Sequence, residues 1–184
     1  MKYAYIFLIC TLLTACQQKP NSNTKSLSDS SSLKTTQTPY KLTNIVTHAF
    51  SDQQKQDTFK LFLSGPTILN SKVTFEIISF NNKQIFTDDF NGKDLLGDFE
   101  GSEQQQKDTI NARFKRFFHQ SAFKTPAINK TDKIDKDYII QSAFDAIKDD
   151  ATSIGFTYNK GYEGVYSIAY AKKKKETVLY FAFD

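Results

Sequence analysis

The chain reads as an α+β protein: an antiparallel sheet or sheets of about seven strands with two helices packed on one face, in the order ββββ-αα-βββ. Three observations lead there. Apolar residues alternate with polar ones through 42–90. They switch to a spacing of three and four between 102 and 148. They return to alternation between 153 and 183. A segregated order of this kind differs from the regular strand–helix alternation of a parallel sheet. With 184 residues and 39% of them hydrophobic, the chain can build one core, and no internal repeat divides it.

The elements follow in order. Leu42–Phe50 predicts a first strand and Thr58–Leu63 a second, with Phe59, Leu61 and Leu63 on one face. Gly65-Pro66 interrupts the pattern. Val73–Phe80 is a third strand, and Asn81-Asn82-Lys83 makes a tight turn into a fourth over 84–90. A helix starts at Ser102 and runs to about Gln120, with Ile110, Phe114, Phe117 and Phe118 near one face. A second helix spans 136–148, with Asp135 as its N-cap and Ile140, Ala143, Phe144 and Ile147 as its apolar stripe. Three strands close the pattern: 153–158, 164–171 and 177–183, the last two joined by a turn over 172–176.

The first sixteen residues have a different character. Lys2 precedes an apolar run, Ile6–Leu13, followed by Thr14, Ala15 and Cys16. The run is shorter than the roughly 20 apolar residues a transmembrane helix needs, so it reads as a targeting segment. Leu13-Thr14-Ala15-Cys16 resembles the lipobox of bacterial lipoproteins. That resemblance implies removal of residues 1–15 as a signal peptide and attachment of a diacylglycerol to the Cys16 sulfur. Gln17, rather than Asp, follows the cysteine; by similarity to enterobacterial sorting rules this implies the outer membrane, with the domain facing the periplasm or the cell surface. The partner implied is therefore the membrane itself, through lipid on Cys16. Residues 16–39 then form the lipidated N-terminus and a flexible tether rich in Ser, Thr, Asn, Gln and Lys, and 40–184 a single globular domain. The stretch Phe59–Asp98 and the segments Ile154–Phe156 and Ser167–Lys173 resemble a group of envelope lipoproteins to which no activity attaches.

Charge and chemistry narrow the functional classes. The formal net charge is +4, but Lys2, Lys19, Lys25, Lys34 and Asp29 lie in the signal and tether. The domain is close to neutral, which argues against nucleic acid as a partner. Once Cys10 leaves with the signal and Cys16 carries lipid, neither of the two cysteines remains for a disulfide, a zinc site or a catalytic thiol. Neither histidine, His48 nor His119, has ligand spacing, and no GxSxG, SxxK or phosphate-binding loop occurs. No catalytic residue, cofactor or metal site is expected.

Two features remain as candidate contact surfaces. One is basic: Lys172, Lys173, Lys174 and Lys175 at a predicted hairpin tip, with Arg113 and Arg116 on a flank of the first helix. The other is aromatic: Tyr166 and Tyr170 share strand parity and could line a groove. Together these imply a lipid-anchored, non-catalytic interaction module with an envelope protein or glycan as partner. The alternatives are a ligand-binding lipoprotein for a glycan or an anionic small molecule, and a hydrolase using His48 or His119.

Overall fold

The computed structural model describes residues 38–129 and 131–184. The targeting segment, Cys16 and nearly all of the tether lie outside them. The order is ββββ-α-β-α-βββ: β1 (Tyr40–Ala49), β2 (Gln56–Gly65), β3 (Lys72–Ile78), β4 (Gln84–Asn91), α1 (Glu103–Arg116), β5 (Phe123–Lys124), α2 (Gln141–Ile147), β6 (Gly155–Asn159), β7 (Val165–Ala171) and β8 (Glu176–Phe183). The class is α+β, but the strands form two four-stranded antiparallel sheets, β1-β2-β3-β4 and β5-β6-β7-β8.

Alternation builds the first sheet. The register sets Phe59 opposite Ile77, Leu61 opposite Phe75 and Leu63 opposite Val73, and all six are buried. The β3–β4 turn closes with the Asn82 N–H on the Ser79 carbonyl at 2.8 Å, and Asn82 takes the left-handed conformation it tolerates well. Ser102 caps α1 reciprocally with Gln105: the Ser102 N–H donates to Gln105 Oε1 at 2.9 Å, and the Gln105 N–H to Ser102 Oγ at 3.4 Å.

The second sheet is apolar on both faces, and this is why one layer of helices does not suffice. Phe156, Tyr158 and Ile168 belong to the main core, where the Phe75 ring lies 5.5 Å from Phe156 and 5.4 Å from Tyr158. On the opposite face Ala169, Ala171, Val178 and Tyr180 pack with Ala143 and Ile147 of α2 in a second cluster. The helices therefore serve different cores: Ile110 and Phe114 of α1 join the first, and α2 covers the second. The expected placement of both on one face is corrected accordingly.

The helix boundaries also differ. Asp135 caps a short 3-10 turn, Lys136–Tyr138, and α2 begins only at Gln141. Between them Ile139 bridges to Phe181, and the Ile140 N–H donates to the Tyr180 carbonyl at 3.1 Å. Two adjacent β-branched residues are held extended there by β8. α1 stops at Arg116, so that Phe117 and Phe118 can turn into the core. Phe123–Lys124 then forms a short strand the pattern does not predict. β8 carries a bulge: Ser167 pairs with Phe181 and Ile168 with Leu179, leaving Tyr180 as the extra residue.

Candidate functional site

The end of α1, the loop after β4 and the β6–β7 turn surround a cleft of about 750 Å³. Local sequence explains each wall. After β4 the chain makes a 3-10 turn, Gly92–Leu96, in which Asp94 Oδ2 accepts the Asn91 N–H at 2.7 Å and Leu95 and Leu96 are buried as anchors. Gly97 follows with φ +56° and ψ −130°, a conformation reserved for glycine. A Cβ there would stand 2.8 Å from Arg113 Nη1. That nitrogen donates to the Leu95 carbonyl at 3.1 Å and also to the Leu96 carbonyl, so Arg113 ties α1 to the loop. The facing wall is the β6–β7 turn, whose Gly161 N–H donates to the Asp94 carbonyl at 3.0 Å.

Phe117 and Tyr158 also line the cleft. The Tyr158 hydroxyl donates to Asp88 Oδ2 at 2.7 Å, and Lys160 Nζ donates to both Asp88 oxygens at 2.8 and 2.6 Å. Burial, and then the bond to Asp88, hold the Tyr158 phenol well above its ordinary value of 10. This cluster joins β4 of the first sheet to β6 of the second. Its protons are committed inside the protein, as are two of those on Arg113.

Three charged side chains at the cleft have no such partner. Arg116, Asp98 and Glu163 line it and enter no ion pair among the described residues. Tyr162 stands at the cleft with 69% of its surface exposed. His119 Nδ1 accepts the Ser121 N–H at 3.3 Å and lies 2.9 Å from Ser121 Oγ, the geometry of a turn cap. His48 is elsewhere, stacked on Phe123 with ring centroids 3.7 Å apart. Among the described residues no group of three His, Cys, Asp or Glu side chains is gathered to hold a metal ion. The arrangement offers charges of both signs and an exposed aromatic, and so suits recognition.

Of the residues singled out in the sequence, the structure brings Arg113 and Arg116 to this cleft. Tyr166 and Tyr170 are half-buried on β7 against the main core and do not line it. Tyr166 stacks on Tyr158 and lies beneath Lys160 Nζ, 4.6 Å from its ring centre. Lys172–Lys175 form the β7–β8 hairpin tip, at the other end of β7 from the cleft. The seven residues of β7 set the two roughly 20 Å apart. There Lys172 pairs with Asp150 at 3.2 Å, Lys174 reaches the Ser142 carbonyl at 3.5 Å, and Lys175 takes φ +58°. The basic and aromatic features thus form no common groove. Cys16 lies outside the described residues. Asp94, Asp98, Tyr162 and Glu163 are additions. Their signal is two loops, 92–98 and 159–164, in which glycines alternate with charged residues. The chain matches no protein-family model, no curated protein and no solved structure.

Proposed function

We propose that this protein is a lipid-anchored binding module of the bacterial cell envelope, tethered to the outer membrane through Cys16, which captures an envelope partner in the cleft between α1 and the β6–β7 turn. The lipobox-like Leu13–Cys16 supports the location. The observation that carries the binding role is the cleft itself: the Tyr158 proton and the Arg113 Nη1 donors are spent internally, whereas Arg116, Asp98 and Glu163 are left for a ligand. A cleft of about 750 Å³ is of the size that ligand sites have.

Two measurements test the reading. Cys16→Ser should release the protein from washed membranes into the soluble fraction, because the acyl chains are the anchor; membrane partition unchanged from wild type would remove the lipid anchor. A photo-crosslinking residue at position 162 should yield one discrete envelope adduct in cells, lost when Arg116→Glu is added. An adduct unaffected by Arg116→Glu would place the partner elsewhere. The exposed Tyr162 ring favours a second reading, a glycan or anionic small molecule stacked at the mouth. Stabilisation of the protein by soluble envelope glycans, abolished by Tyr162→Ala, would select it.

A further inference from the structure

We infer that two copies of this chain pair antiparallel through the outer edge of β1, two-fold about Ile45, and join their first sheets into one. The inference stands apart from the cleft. Each sheet has two edges, and three of the four are blunted. β4 carries an extra residue, Ile85, and turns the charged Asp88 inward. β5 is two residues long. β8 is bridged by Ile139, and its Tyr180 carbonyl accepts the Ile140 N–H. β1 has none of these devices. Its ten residues keep register with β2 throughout, include no proline and turn no Lys, Arg, Asp or Glu inward. Among the described residues no element but β2 runs alongside it.

The register shows which main-chain groups are open. The Gly92 N–H donates to the Ser71 carbonyl at 2.9 Å, so Ser71 and Val73 bond toward β4, and Lys72, Thr74 and Glu76 toward β2. Lys60 and Phe62 therefore bond β3, while Phe59, Leu61 and Leu63 bond β1 at Val46, Asn44 and Leu42. The N–H and C=O groups of Lys41, Thr43, Ile45 and Thr47 are left facing outward, and all four residues are exposed. α1 meets β1 from the core side instead, where Asn44 Nδ2 donates to the Phe114 carbonyl at 2.9 Å. His48 stacks on Phe123 on that same side.

A second copy fits this edge. With Ile45 opposite itself, Thr43 meets Thr47 and Lys41 meets Ala49. Each open N–H and C=O of Thr43, Ile45 and Thr47 then finds its complement, and no like charges are opposed. Ile45 is 55% exposed, and Phe62, diagonal to it on β2, is 41% exposed. Pairing unites these two apolar patches across the axis. The two Tyr40 ends would lie roughly 33 Å apart, the length of the paired strands. Residues 16–39 reach up to roughly 80 Å when extended, so both chains can be held by one membrane.

The test is sedimentation equilibrium of the full chain in density-matched detergent micelles. We expect a reversible dimer. Thr47→Pro removes an edge-facing N–H without touching the bonds to β2, and should weaken the dimer at least tenfold with an unchanged thermal melt. Ile45→Lys leaves the backbone alone and sets like charges against each other at the axis; it should do the same. Thr87→Lys, on the outward face of β4, should leave the dimer unaltered. Ile45→Lys mixed with Ile45→Glu should restore it, because only a residue that faces its own copy is rescued in this way. Amide exchange at Thr43, Ile45 and Thr47 should slow at least fivefold as the dimer forms, while Leu42, Asn44 and Val46 do not change. A chain that stays monomeric at the highest concentration it tolerates would overturn the inference and leave β1 to a different partner. So would a dimer indifferent to Thr47→Pro and Ile45→Lys, which is what two chains sharing a micelle would give, or one that the mixture of opposite charges fails to restore. The position-162 adduct reports on the cleft alone, so failure of the pairing would leave that reading intact.

Discussion

Asp57 is fully buried and enters no ion pair among the described residues. Three donors satisfy it instead: the Ser51 N–H at 2.5 Å and the Phe80 N–H at 2.8 Å on the main chain, and Ser51 Oγ at 3.0 Å. One side chain thereby pins the loop after β1 to the β3–β4 hairpin. Asp57→Ala would leave two main-chain donors unmatched, and should lower unfolding stability by about 3 kcal/mol in urea titration. A loss below about 1 kcal/mol would mean that water replaces the carboxylate. The parity of Asp57 is legible, since it alternates inward with Phe59, Leu61 and Leu63. Its partners are not, because Phe80 lies 23 residues away. Arg113 and Arg116 divide similarly. Their helical spacing marks a basic flank, but only the fold reveals that Arg113 is spent on two carbonyls and Arg116 is not.

Elements with strong local signals stand where their residues imply. The Ser102 cap and the Ile110–Phe114 stripe define α1, and the alternation of Phe59–Leu63 and Val73–Ile77 defines β2 and β3. The second helix fails at its start. Helical spacing through Ile140–Ile147 extends naturally back to Asp135, but Ile139 and Ile140 are claimed by β8 through main-chain contacts. β8 supplies residues to both cores, Leu179 to the first and Val178 and Tyr180 to the second, and fills one edge of β7. Removing residues 177–184, which include all of β8 but Glu176, should therefore abolish cooperative thermal unfolding followed by circular dichroism. A truncated chain that melts as wild type would show that β7 and α2 close the second core without it.

The two sheets are joined by apolar packing around Phe75 and Phe156 and by the Asp88–Tyr158–Lys160 cluster. Buried phenols make this assembly sensitive to alkali. Burial holds Tyr158 above its ordinary value and pushes Tyr180 up to about 12. Folding keeps such a phenol neutral, so its contribution is complete below the ordinary value of 10 and is lost as pH rises beyond it. For Tyr180 the loss falls between pH 10 and 12 and is on the order of 2–3 kcal/mol. Tyr180→Phe should flatten that part of the pH profile of the urea midpoint. An identical alkaline slope in the variant would assign the loss to other groups.

Composition and local pattern were enough for the α+β class, the first four strands, the start of α1 near Ser102 and the resemblance of Leu13–Cys16 to a lipobox, because each depends on residues within a few positions of one another. Tertiary structure decided the division into two sheets, the separation of the two helices onto different cores and the cleft. These depend on which strand edges meet and on pairs such as Asp88 and Tyr158, 70 residues apart. Alternation states that a residue faces inward. It does not state what it faces, because that is settled by the competition of all apolar surfaces for burial, and here a sheet apolar on both sides had to be covered from both.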